Sequence, residues 1–187
     1  MIEISDSEKI AILDVARSCI RCAVQGADAH VQREVLPREF PHAGVFVTLH
    51  VDGQLRGCIG SMDAESGFES ALCYAAERAT RHDYRFDPIH ASELEKVEIE
   101  VTILEPMEPV SDTRNIVIGR HGIMLEAGTH RGLLLPQVAT QRGWSVEDFL
   151  HALCQKASLS FSALKNPTTR LYRFEATCIS QNAPVTH

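Results

Sequence analysis

Clustered basic residues are missing from this chain. Its 18 Lys and Arg are outnumbered by 25 Asp and Glu, for a formal net charge of -7, and they stand one or two at a time, as on an ordinary solvated surface. Affinity for a phosphate backbone rests on grouped cations that displace counterions, so the pattern argues against a nucleic-acid binder. Long apolar runs are missing too, none approaching the roughly 18 residues of a membrane span. The opening MIEISDSEKI is acidic and lacks the basic, apolar, small-residue order of a secretion signal, which predicts a cytoplasmic location. Fixed catalytic signatures are also absent: there is no phosphate loop, no GxSxG elbow and no HExxH. Six cysteines at irregular spacings do not form a disulfide framework, and reduced thiols are expected. There is no internal repeat and no low-complexity tract.

What is present suffices for a substantial core, because 187 residues with 44% hydrophobic side chains can form one domain or two small lobes. SDSEKIAILDVARSCIRCAVQG opens with a possible capping box, Ser5 with Glu8. It carries Ile10, Leu13, Ala16, Ile20 and Val24 near helical spacing and stops at Gly26. VFVTLHV and QLRGCIG read as two strands joined by an Asp52-Gly53 turn, a strong hairpin signal. A second helix is expected from Ser66 to about His82, with Phe68, Ala71, Leu72, Ala75 and Ala79 on one face. KVEIEVTIL alternates as a strand with one buried face. EPMEPVSDTRN breaks both periodicities and reads as a linker. NIVIG, GIMLEA and RGLLLP follow as short strands with turns at His121-Gly122 and Gly128-Thr129. Ser145 caps a further helix, and RLYRFEATCI supplies a last strand. Hairpins dominate over regular strand-helix alternation, so the expected class is α+β with mainly antiparallel sheet and flanking helices.

Chemistry, if present, points to LRGCIG. Residues two apart in a strand share a face, which predicts Arg56 beside Cys58, with Val47 and Leu49 across from Cys58 and Arg56. A nearby cation favours thiolate, and Gly57 and Gly60 mark close approach of a ligand or another backbone. Against this, free cysteine is among the most buried residue types, and an arginine stem can cover apolar surface. Spacing alone leaves both readings open. His121, in a turn, is a candidate base or ligand, with a local hydrogen bond as the plainer alternative. Arg85, before the turn signal Phe86-Asp87-Pro88, is expected to face a groove or to pair with a carboxylate, Asp83 or one from the Glu98 strand, rather than extend into solvent. The pairs Cys19/Cys22 and His151/Cys154 lack partners at zinc-site spacing and read as helix packing, so no metal site is expected. Glu98 and Glu100 share a strand face that solvation explains.

Taken together, LRGCIG, DYRFDPI, IGRHGIMLE, RGLLLPQVA, GWSVEDFL and LYRFEA resemble the AMMECR family, whose prokaryotic members are called AmmeMemoRadiSam system protein A. The likeness runs in order from about residue 45 to 178. It implies a single AMMECR-type domain over residues 1–187, built as two intimately packed lobes with a groove near residues 55–60. It also implies partners, a Memo-like protein and a radical S-adenosylmethionine protein, while leaving the cofactor unknown and supplying no established reaction. The motif positions it carries over are Arg56, Gly57, Cys58, Gly60, Asp83, Arg85, His121, Gly122 and Glu126. Ala157-Ser158 and Leu164 depart from the family, which tends to have glycine after that alanine and tryptophan at the latter position. Two readings follow. In one, the chain is a thiol-dependent enzyme or enzyme component, with Cys58 as nucleophile or covalent acceptor, Arg56 tuning it and His121 as base. In the other, it is a non-catalytic module that binds a partner or a metabolite, and fold alone does not choose between them.

Overall fold

A computed structural model describes residues 2–26 and 36–181. The fold is α+β with antiparallel sheets, and the chain divides into two compact units, residues 2–104 with 177 onward, and residues 105–176. The division falls at the start of the proline-broken EPMEPVSDTRN stretch. Among the described residues no helix is long and apolar enough to cross a membrane.

The N-terminal unit begins with α1 (Asp6–Gln25). Ser5 accepts the Glu8 N–H while Glu8 returns to the Ser5 N–H, and Gly26 ends the helix at φ 69°. That left-handed conformation suits glycine, which has no Cβ to clash. Strands β1 (Gly44–Val51) and β2 (Gln54–Ser61) form the expected hairpin. Asp52 and Gly53 both have positive φ, 50° and 75°, as a turn matched to the twist of its strands requires. Helix α2 (Phe68–Arg81) and strand β3 (Val97–Leu104) follow, and β8 (Ala176–Ser180) completes a sheet in the order β2-β1-β3-β8. The alternating apolar residues of β1 and β3, including Val47, Leu49, Ile99 and Val101, are buried with the apolar faces of α1 and α2 in one core. The opposite sheet face presents Thr48, Cys58, Glu98 and Glu100.

Two expectations fail in this unit. The hairpin pairs Val51 with Gln54 and His50 with Leu55, then shifts, so that Leu49 faces Gly57 and Thr48 faces Cys58. Arg56 is the extra residue of this β-bulge, which no feature of the strand periodicity announces. Val47 therefore lies across from Ile59, not Cys58. The cysteines are not all reduced either. Cys19 and Cys73 are joined where α1 and α2 pack together, their Cα atoms 5.5 Å apart, within the range that a disulfide spans. Each helix contributes its cysteine from a buried face, a meeting that chain spacing does not reveal.

The second unit holds a sheet in the order β4-β7-β5-β6, from β4 (Glu108–Pro109), β5 (Gly122–Ala127), β6 (His130–Leu134) and β7 (Arg170–Phe174). Helices α3 (Pro136–Arg142) and α4 (Val146–Lys156) accompany it. Phe149, Leu150 and Leu153 of α4 join Ile123, Leu125 and Leu134 in its core. Ser145 caps α4 through a box with Asp148. Three expectations change here. NIVIG is not a strand: Asp112 caps a 3-10 turn over Thr113–Asn115, and the chain turns again through Gly119 at φ 84°. RLYRFEATCI splits into β7 and β8, which belong to different sheets. Helix α3, opened by Pro136 at its first position, went unread, although proline there and Gly143 at its end mark a helix.

Candidate functional site

Strand β2 lies at the edge of its sheet, so its outward backbone groups need partners. At Cys58 they have them. The Cys58 N–H donates to Asp83 Oδ2 at 2.9 Å, and Arg85 Nη2 donates to the Cys58 carbonyl at 3.1 Å. Asp83 in turn accepts from Arg85 Nε at 2.9 Å and Nη2 at 2.6 Å. The DYR segment, held in a turn after α2, thus covers the strand edge, and Arg85 pairs with Asp83 as its sequence position suggests. The Arg85 guanidinium, followed by the Cys58 N–H among other contacts, draws the Asp83 carboxyl down to about 2. Because both backbone groups of Cys58 point away from β1, Thr48 and Cys58 form a pair without mutual backbone bonds, whose side chains stand close. Thr48 Oγ1 is 3.2 Å from Cys58 Sγ.

Arg56 is engaged by an acid and a carbonyl. Its Nε and Nη2 donate to both oxygens of Glu93, at 2.9 and 3.0 Å, and Nη1 donates to the Asp87 carbonyl. Each cation near Cys58 therefore has its own carboxylate, Arg56 with Glu93 and Arg85 with Asp83. Arg56 was expected beside the thiol; the bulge instead re-aims its guanidinium toward Glu93 in the turn before β3. The glycines answer to packing. A Cβ on Gly57 would lie 2.1 Å from the Ala79 carbonyl oxygen of α2, and one on Gly60 would lie 2.4 Å from the Phe46 ring. The close approach at Gly57 is by another backbone. Thr48 and Glu93 were not legible as neighbours, because one depends on the bulge and the other sits in the 3-10 turn Ala91–Lys96.

His121 belongs to the second unit, at the turn before β5, and is 5% exposed. The Val117 N–H donates to its Nδ1 at 2.9 Å, so the neutral ring carries its proton on Nε2. Burial, then the charges of Arg173 and Arg120, lower its pKa, which keeps the ring neutral. Nδ1, the basic nitrogen of this tautomer, is already occupied, so the ring is placed as a donor rather than as a base. Among the described residues Nε2 has no hydrogen-bond partner.

His121 lines a cavity of about 440 Å³ with Arg120, Arg173, Glu108, Glu175 and Asn115 among its walls. Arg173 donates from Nε and Nη2 to Glu108 Oε2, at 3.0 and 2.8 Å, and from Nη1 to the Asn115 carbonyl at 2.6 Å. Arg120 pairs with Glu175 at 2.6 Å. Two guanidinium–carboxylate pairs thus share the cavity wall with a fixed donor. Sequence reasoning singled out His121 but missed its companions: Arg173 and Glu175 lie in the stretch read as one continuous strand, and Glu108 in the linker. Their signal, charged residues within an apolar strand, is slight. Glu126 does not join the cavity. It forms a cross-strand ion pair with Arg131 at 3.0 Å. No group of metal-ligating residues occurs among the described residues.

Comparison with known proteins adds a family. The AMMECR1 family model matches residues 13–179. A protein of Methanothermobacter thermautotrophicus is 39% identical over 180 residues, covering 92% of this chain and 94% of its own length. A protein of Nanoarchaeum equitans is 36% identical over 168 residues, covering 86% of this chain and 93% of its own length. The crystal structure of an uncharacterized protein from Pyrococcus horikoshii superposes with a TM-score of 0.82 at 31% identity, over 95% of this chain and 93% of that one.

Proposed function

The chain belongs to the AMMECR1 family, and on that premise we propose that it is a non-catalytic binding module whose small-molecule site is the cavity at His121. The observation that carries this reading is the cavity itself. Its volume of about 440 Å³ lies within the roughly 300–1,000 Å³ of small-molecule sites, and a ring whose Nε2 donor has no partner among the described residues stands in its wall. The Cys58 segment supports the same reading by contrast. A cysteine nucleophile works as thiolate beside a base or an uncompensated cation, whereas Cys58 has a threonine hydroxyl at its sulfur and two arginines already paired with acids. The motif resemblance supports a place for the module beside a Memo-like protein and a radical S-adenosylmethionine protein, to which it would deliver or present its ligand.

Ligand-observed NMR of the protein against a library of polar metabolites tests the proposal. Binders are expected to lose their signal with His121→Asn, whose side-chain oxygen can still accept the Val117 N–H, and to keep it with Cys58→Ser. Binders lost only with Cys58→Ser would sink it.

A second reading keeps Cys58 as nucleophile or covalent acceptor. It is favoured by the position of the sulfur on the sheet face away from the core, only partly buried. Iodoacetamide labelling followed by peptide mass spectrometry decides it: this reading requires Cys58 to react faster than Cys22, which is also partly buried.

A further inference from the structure

We propose that the His121 cavity recognises a small zwitterion with a carboxylate at one end and an ammonium at the other, of the amino-acid or short-peptide class. The inference rests on reading this cavity as the ligand site and adds what that site selects. Its basis is the sign pattern of the walls. Arg120 and Arg173 each stand bonded to an acid, Glu175 and Glu108, and Arg114 and Glu105 also line the cavity, so its wall carries groups of both signs. A dianion would gain at the guanidiniums and lose at the carboxylates, and a dication the reverse. A ligand bearing one charge of each sign gains at both, provided the charges are spaced to match.

Hydrogen-bonding capacity points the same way. Arg173 spends Nε, Nη2 and one Nη1 proton on Glu108 and Asn115, and a guanidinium has five N–H groups, so it retains donors for an incoming carboxylate. His121 Nε2–H adds a neutral donor. Its ring is nearly buried and its other nitrogen is fixed by the Val117 N–H, so its direction is set before the ligand arrives. Glu108 uses only Oε2 for Arg173, which leaves Oε1 to accept from an ammonium. Charge-assisted bonds of this kind are the strong ones. The binding would depend little on salt, because a zwitterion brings no net charge.

Isothermal titration of the full chain with L-alanyl-L-alanine, its N-acetylated form, its C-terminal amide, succinate and putrescine tests the inference. The free dipeptide is expected to bind, with affinity falling about tenfold or more when either terminus is blocked, since each blocked end forfeits one charge-assisted contact. His121→Asn should weaken binding. So should Arg120→Gln, whose side chain is 64% exposed and whose loss leaves the core untouched. Equal binding of the N-acetylated form, or of succinate, overturns the inference. If the dipeptide is silent but another compound class shifts the Val117 and His121 amide signals, the inference fails and the site reading stands. If no compound shifts them, both fail.

Discussion

Four hydrogen bonds converge on the Asp83 carboxylate, three from Arg85 and one from the Cys58 backbone, although Asp83 is only 4% exposed. Its carboxyl titrates at about 2 against an ordinary 3.8. A folded-state pKa below the unfolded value means stability that is present above about pH 4 and lost as pH falls through about 2. Asp83→Asn should therefore cost on the order of 2 kcal/mol at neutral pH, with the gap from wild type closing in acid. Urea unfolding at several pH values reads this directly. A gap independent of pH would mean that the carboxylate is held for its shape alone. His121 gives a second test at this scale. Its pKa is lowered from 6.5, first by burial, so its neutral form is favoured and the cost of protonating it appears as pH falls below 6.5. Nitrogen NMR of the ring should show the Nε2–H tautomer at that pH, where an ordinary histidine is half protonated. A protonated or Nδ1–H ring would contradict the hydrogen bond from Val117.

The elements of the N-terminal unit were largely legible because their signals are local. A capping box, an Asp-Gly turn and period-two alternation each act within a few residues. The bulge at Arg56 was not legible, because it answers to the approach of α2 over Gly57, a contact between distant parts of the chain. Substitution separates that packing role from a ligand role. Gly57→Ala should destabilise by about 2–3 kcal/mol, since the new methyl meets backbone that cannot swing aside. Gly60→Ala should cost less, because the Phe46 ring can turn. A Gly57→Ala protein of unchanged melting temperature would contradict the packing account. The Cys19–Cys73 link likewise escaped the sequence, since it joins two helices 54 residues apart. Closing a loop of that length is worth about 4 kcal/mol through the unfolded chain. Reduction, or Cys19→Ser, should therefore lower stability by that order, and non-reducing peptide mapping should recover the linked pair. Separate thiols in the map would contradict it.

At the scale of the whole molecule, fold class followed from the count and kind of elements, and the family from motifs spread over both units. The assignment of residues to units did not follow. RLYRFEATCI reads as one strand, yet it supplies β7 to one sheet and β8 to the other. That split hid Arg173 and Glu175 as companions of His121, since their meeting with Arg120 and Glu108 depends on which sheet β7 joins. It also shifted weight from the cysteine, the most visible residue in the sequence, to a histidine cavity assembled from four separate stretches. Backbone amide NMR of the nitrogen-labelled chain, titrated with the strongest binder from the metabolite screen, tests that shift most directly. The account predicts saturable changes centred on Val117, Arg120, His121 and Arg173, with Thr48, Cys58 and Arg85 unmoved. Changes centred on Thr48, Cys58 and Arg85 instead, with the His121 cavity silent, would contradict it.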